Sequence, residues 1–174
     1  MLDTFKELTS NQFEAALCTL NTCIDRCPES AWDAPVANRA FCQVAFHTLF
    51  FADFYLGPDE NSLQQQPFHR DNASFFRDYE ELQDRKPELL YDRPAITRYV
   101  AHCRSKASEV IAAETEQTLT ARCGFSRRHC SRAELYVYNI RHIQHHAAQL
   151  SLRLRLNGGV DIPWIGSGWQ DIQA

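Results

Sequence analysis

Apolar positions recur three and four apart over four stretches of the chain, the spacing of helices that each press one face against a core. The first stretch covers Asp3 to Arg26, with Phe13, Ala16, Leu17, Leu20 and Ile24 in one stripe, and Pro28 ends it. The second, NRAFCQVAFHTLFFADFYL over residues 38–56, is apolar around most of its circumference and is expected deepest in the core; Gly57-Pro58 closes it. The third starts at Pro94, a good first-turn residue, and runs to Thr118 with Ile96, Tyr99, Val100, Cys103, Ala107, Val110 and Ile111 along one side. The fourth has the clearest ends. Ser131 followed by Glu134 reads as a capping box, and Asn157-Gly158-Gly159 as a left-handed stop. About 25 residues between these signals amount to roughly 38 Å of helix.

Four long amphipathic helices predict an all-α fold, a four-helix bundle in a single domain over residues 1–174. The connection from Gly57 to Arg93 is too long for a tight turn, and a short helix is expected within it near Ala73 to Leu82. Such a long crossover carries the chain back along the bundle and leaves the second and third helices parallel. Composition agrees: only six glycines in 174 residues, without strand-like alternation, favour helices.

Charge and cysteine usage narrow the partners. A net charge of −4 argues against nucleic-acid binding, although Arg127, Arg128 and Arg132 gather in one region. The N-terminal stretch has no basic segment leading into an apolar one, and no run approaches the ~20 apolar residues of a membrane helix. Seven cysteines form no CxxC pair, and Cys18, Cys23 and Cys27 fall within or at the end of the first helical pattern. Reduced, partly buried thiols and a cytoplasmic location are therefore expected, with no disulfide framework.

The chemistry concentrates in histidines. With His142 as origin and about 100° per residue, His146 falls at roughly 40°, Leu135 near 20° and Ile143 near 100°, whereas His145 lies at roughly 300°. His142 and His146 thus look inward as a pair, and His145 looks out. Their spacing brings the Cβ atoms about 5–6 Å apart, close enough for two imidazoles to share an ion. In the second helix His47 sits among Val44, Phe50, Phe51 and Phe54, where an unpaired ring nitrogen costs on the order of 1–3 kcal/mol. Hydrogen bonds to carbonyls and side chains would satisfy these rings, and so would one divalent ion bound by all three. Asp53, Asn139 and Gln149 are candidates to orient a ligand through its second nitrogen.

With the histidine in QVAFHTLFFADFYL, the segment YNIRHIQHHAAQLSLRLR and the closing Pro163-Trp164, the chain resembles the DinB/YfiT-like family of metal-dependent proteins. The likeness in helix order covers nearly the whole chain, while specific motifs occupy only those two helices. The resemblance implies a four-helix bundle with a divalent ion on three histidines, here His47, His142 and His146. Many relatives read HHRGQ where this chain has His145-His146-Ala147-Ala148-Gln149, so a substrate contact through that arginine is not carried over.

Three neutral imidazoles leave an open coordination position, as in catalytic sites. Zinc and nickel lead as candidates, with iron and manganese behind them; the absence of an obvious carboxylate ligand argues against calcium or magnesium. The ion would lower the pKa of a bound water to about 7 or hold a thiol as thiolate. The resemblance implies the second use, in transferases or isomerases that depend on a low-molecular-weight thiol, and homodimers by analogy. Ile143 stands where the glutamate of HExxH would be, which disfavours a protease. Cys42 is a weak candidate nucleophile, since buried thiols are usually inert. The alternative is a non-catalytic bundle protein with a structural or vestigial metal site, acting in protein interaction. The tail DIPWIGSGW is expected to cover core, to close over a bundle end or to join a dimer contact.

Overall fold

The computed structural model describes residues 1–77, 79–83, 85 and 87–172. It is mostly helical. Its elements are α1 (Leu2–Arg26), α2 (Glu29–Trp32), α3 (Phe41–Leu56), α4 (Pro67–Asp71), α5 (Ala73–Phe76), α6 (Arg93–Ala113), α7 (Glu116–Thr120) and α8 (Arg132–Gly158). A two-residue hairpin, β1 (Pro35–Val36) and β2 (Arg39–Ala40), precedes α3. No helix among the described residues is long and apolar enough to cross a membrane.

The four long helices pack in a ring: α1 lies against α6 and α8, and α3 lies against the same two. Side-chain contacts give their directions. Phe46 meets Tyr99, the Cys103 thiol reaches the Leu49 carbonyl, and Lys106 reaches Asp53, so α3 and α6 advance together and run parallel. His47 meets His146 and Tyr55 meets Tyr138, so α3 and α8 run antiparallel. Arg93 reaches the Cys27 carbonyl, Arg104 reaches Glu14 and Lys6 reaches the Ala112 carbonyl, so α1 and α6 are antiparallel too. The apolar stripes supply the buried core, with Phe13, Leu17, Leu20, Leu49, Ile96, Tyr99 and Leu150 fully enclosed. Each such side chain contributes about 1.5–3 kcal/mol on burial.

Several element ends differ from the sequence expectation, each for a local reason. The second helix starts at Phe41 rather than Asn38, because residues 35–40 pair as the hairpin, with Ala37 at φ 57°. The Gln43 side chain then accepts from the Ala40 amide at 3.0 Å. The third long helix stops at Ala113 rather than Thr118, since Thr115 accepts from the Thr118 amide and starts the separate helix α7. Ser131 caps α8 by accepting from the Glu134 amide at 3.2 Å, the serine half of the expected capping box, and Gly159 at φ 63° ends it. The single helix expected near Ala73 to Leu82 is replaced by short pieces: α5 ends at Phe76, and a 3₁₀ turn spans Glu80–Gln83. Arg77 and Tyr79 take positive φ between them; Asp78, within that expectation, lies outside the described residues.

Two buried polar knots tie the ends together. Arg132 donates to the carbonyls of Tyr55 (3.0 Å), Leu56 (2.9 Å) and Gly57 (2.8 Å), which the end of α3 leaves without helical partners, and pairs with Glu114 at 2.9 Å. Asp53, fully buried, accepts from Tyr99 at 3.0 Å, meets His69 at 2.6 Å and pairs with Lys106. Burial alone would raise its pKa, yet His102, His69 and Lys106 hold the carboxyl well below the usual range. His69 also meets Tyr79 at 3.1 Å, so Asp53 fastens both ends of the crossover's irregular stretch to the core.

The tail runs beside α1. Gly168 donates to the Asn11 carbonyl, Gln12 to the Gly166 carbonyl and Cys18 to the Gln170 carbonyl. Ile162 and Ile165 are buried there, whereas Trp164 is 88% exposed and covers no core.

Candidate metal centre

In α3 the burial pattern singles out two positions. Every residue from Phe41 to Leu56 is buried except His47 and Phe51, which open onto a cavity of about 640 Å³ instead of the packed interior expected for His47. From the facing helix α8, His142 and His146 turn to the same cavity because their spacing repeats about one helical turn. Ring centroids lie 5.5 Å apart for His47 and His142, 4.8 Å for His47 and His146, and 4.7 Å for His142 and His146. One nitrogen from each of the three lies within 4.8 Å of the others, so the group could hold a metal ion. Nitrogens about 2.1 Å from a tetrahedral ion would lie about 3.4 Å from one another, a contraction that small side-chain rotations can supply. His145 is exposed, as the helical wheel requires.

Hydrogen bonding leaves a consistent set of free nitrogens. His47 Nδ1 meets Glu81 Oε2 at 2.8 Å, which leaves Nε2. His146 Nδ1 donates to Gln149 Oε1 at 2.9 Å, again leaving Nε2. His142 Nε2 is buried and has no hydrogen-bond partner. An orphaned buried nitrogen is costly unless something binds it, and here it adjoins two other imidazoles. Burial and the neighbouring histidines push the pKa of His142 down to about 3, and those of His146 to about 4. Both rings are thus neutral at pH 7 with a lone pair available, the state a metal requires.

The orienting groups are only partly those expected. Gln149 does hold His146. Asp53 faces α6 instead and touches none of the three histidines, because its register on α3 points away from α8. Asn139 donates to the Ala52 carbonyl at 2.9 Å and so braces α8 against α3. The group that holds His47 is Glu81, nearly inaccessible and paired with Arg39 at 2.7 Å. Neither residue carries a local signal: Glu81 sits in the irregular crossover and Arg39 in the hairpin, and only the fold brings them to His47. Cys42 does not line the histidine cavity. Its thiol is enclosed, meets Asp33 at 3.3 Å and is pushed up to about 11 by burial.

The rest of the cavity is aromatic, with charges of both signs at its edge. Phe51, Phe54, Tyr55, Phe125 and Tyr138 form the apolar wall, with Arg127 and Arg128 beside Glu60 and Glu81. Arg128 donates to the hydroxyls of Tyr55 at 2.7 Å and Tyr138 at 2.6 Å and lies over the Tyr138 ring. Phe51 packs edge-on against His47 and His142, shielding the imidazoles on one side.

In comparisons with family models, curated proteins and solved structures, nothing matches the chain.

Proposed function

We propose that the chain is a DinB-like four-helix-bundle metalloenzyme: His47, His142 and His146 would hold a divalent ion, which would supply the Lewis acidity to activate a thiol or a water toward a small molecule. The reading rests chiefly on one observation: three imidazoles from two helices converge beside a cavity, and the Nε2 of His142 is buried there without a partner. The donor set of three neutral nitrogens suits zinc or nickel, ahead of iron or manganese. Such an ion supplies Lewis acidity that brings a guest's pKa towards neutrality.

The protein's own residues do the rest. Glu81 and Gln149 fix the two rings whose Nδ1 atoms they hold, leaving Nε2 of each as the atom that would ligate. Phe51 limits water at the rings, which strengthens electrostatic effects in the site. Arg128, anchored by two tyrosine hydroxyls, gives the cavity a fixed positive charge for an anionic group on the guest, as a low-molecular-weight thiol would carry.

Elemental analysis of protein purified without a histidine tag tests the first step. About one equivalent of divalent metal is expected, and a large loss in His47→Ala; equal metal in both removes His47 from the site. Loaded protein should also lower the pKa of one member of a panel of cellular thiols, or speed its alkylation. A tightly held ion that affects neither thiols nor ester hydrolysis would leave a structural metal site in place of an enzyme.

A further inference from the structure

Two of the seven cysteines differ from the rest. Cys18, Cys23, Cys27, Cys42 and Cys103 are buried on or beside the helices. Cys123 and Cys130 instead face each other at the two ends of the loop that leads into α8, with their sulfurs 3.7 Å apart. The backbone explains why. Arg122 and Ser131 pair as an antiparallel bridge, Cys123 donates its amide to the Cys130 carbonyl at 3.0 Å, and Arg132 donates to the Ala121 carbonyl at 2.9 Å. Cys123 and Cys130 are therefore directly opposed, at a hydrogen-bonded position where Cα atoms stand about 5.5 Å apart. A disulfide spans Cα separations of about 4.4–6.8 Å, so side-chain rotation suffices to close the sulfurs to about 2.05 Å.

Of the enclosed residues, Gly124 to His129, the four from Phe125 to Arg128 form one wall of the histidine cavity. Phe125 packs on Phe54 and Tyr55, Ser126 bonds to Glu60, and Arg128 holds Tyr55 and Tyr138. We propose that Cys123 and Cys130 are a peroxide-oxidised dithiol whose disulfide closes this wall into a covalent ring. The inference does not depend on an ion at the histidines.

The chemistry balances with one peroxide. The partly exposed Cys130 sulfur, as thiolate, attacks one peroxide oxygen; the O–O bond breaks, and the leaving hydroxide takes up a proton as water. The sulfenic acid so formed is then attacked by the Cys123 sulfur. The S–S bond forms, the S–OH bond breaks, and the Cys123 proton leaves with the hydroxyl as a second water. Two thiols are oxidised and one peroxide is reduced. Burial and the Cys123 thiol raise the pKa of Cys130, and Arg128 opposes this shift. A small-molecule thiol reverses the step by exchange.

The test treats the full chain with hydrogen peroxide, then unfolds it without reductant, alkylates it and maps the peptides. A linked Cys123–Cys130 peptide lacking two hydrogens is expected in a monomer, with the other five cysteines alkylated. Amide exchange over Gly124 to His129 should slow by about tenfold on oxidation. Cys130→Ser, a substitution at a partly exposed position, should leave Cys123 reduced. The proposal is overturned by linkage to a third cysteine or a second molecule, by sulfinic acid on Cys130 without linkage, or by unchanged loop exchange. The linked-peptide result needs no variant, so a poorly folding substitution leaves the test intact.

Discussion

Replacing Glu81 by alanine removes the carboxylate that holds His47 Nδ1 at 2.8 Å, and it frees Arg39, whose Nη1 lies 3.5 Å from the same nitrogen. Two losses follow. The imidazole no longer has its tautomer and plane fixed, and an uncompensated guanidinium stands beside a ring that must act as an electron donor. Loss of an orienting partner typically weakens metal binding about 10–100-fold, or roughly 1.4–2.7 kcal/mol. The nearly inaccessible carboxylate and the adjacent cation place Glu81→Ala at the upper end of that range. Glu81→Gln keeps an acceptor oxygen and should lose less, about tenfold or under. Titration of zinc against a chromophoric chelator reads these affinities directly, with His47→Ala as the reference for a lost ligand. Melts of the metal-free variants show whether the fold persists. An affinity for Glu81→Ala within about twofold of the unsubstituted protein would refute an orienting role.

Three further outcomes can be checked. Arg132→Met strips three carbonyls at the end of α3 of a donor and leaves Glu114 buried without its cation; a loss of about 3–5 kcal/mol is expected in urea unfolding, and a loss under about 1 kcal/mol would show that the knot contributes little. Gly124→Ala sets a Cβ 2.3 Å from the Pro58 carbonyl oxygen, a backbone clash that should cost about 1–3 kcal/mol and loosen the loop that carries Arg128; unchanged loop amide exchange would contradict this. In metal-free protein His142 and His146 stay neutral down to about pH 3 and about pH 4, whereas in the unfolded chain they protonate near the ordinary value of about 6.5. The unfolded state binds more protons in this window, so stability falls as pH drops from about 6.5 towards 4. His142→Ala should flatten that slope, and the same slope in both proteins would reject the assignment.

Periodicity alone located the four long helices and set His142 and His146 on a different face from His145. A helix repeats its faces every few residues, so the phase of His142, His146 and His145 relative to Leu135 and Ile143 is local information. The ends marked by Ser131 and Gly159 were legible for the same reason, since capping uses neighbours in the chain. The break at Ala113 was less so: the stripe ends at Ile111, and it is the Thr115 hydroxyl, accepting from the Thr118 amide, that starts a new helix beyond it. What needed the tertiary structure was every pairing across elements. Glu81 reaches His47 from 34 residues away, through an irregular crossover with no period. Asp53 and Asn139, polar residues on core helices, could each have faced the imidazoles; the packing of α3 between α6 and α8 sends one to Lys106 and the other to a carbonyl. Cys123 and Cys130 show no recognisable spacing, yet the bridge beside them sets their sulfurs together. Secondary structure and facing follow from short-range sterics and hydrophobic phase, whereas partners distant in sequence are chosen by how whole helices pack.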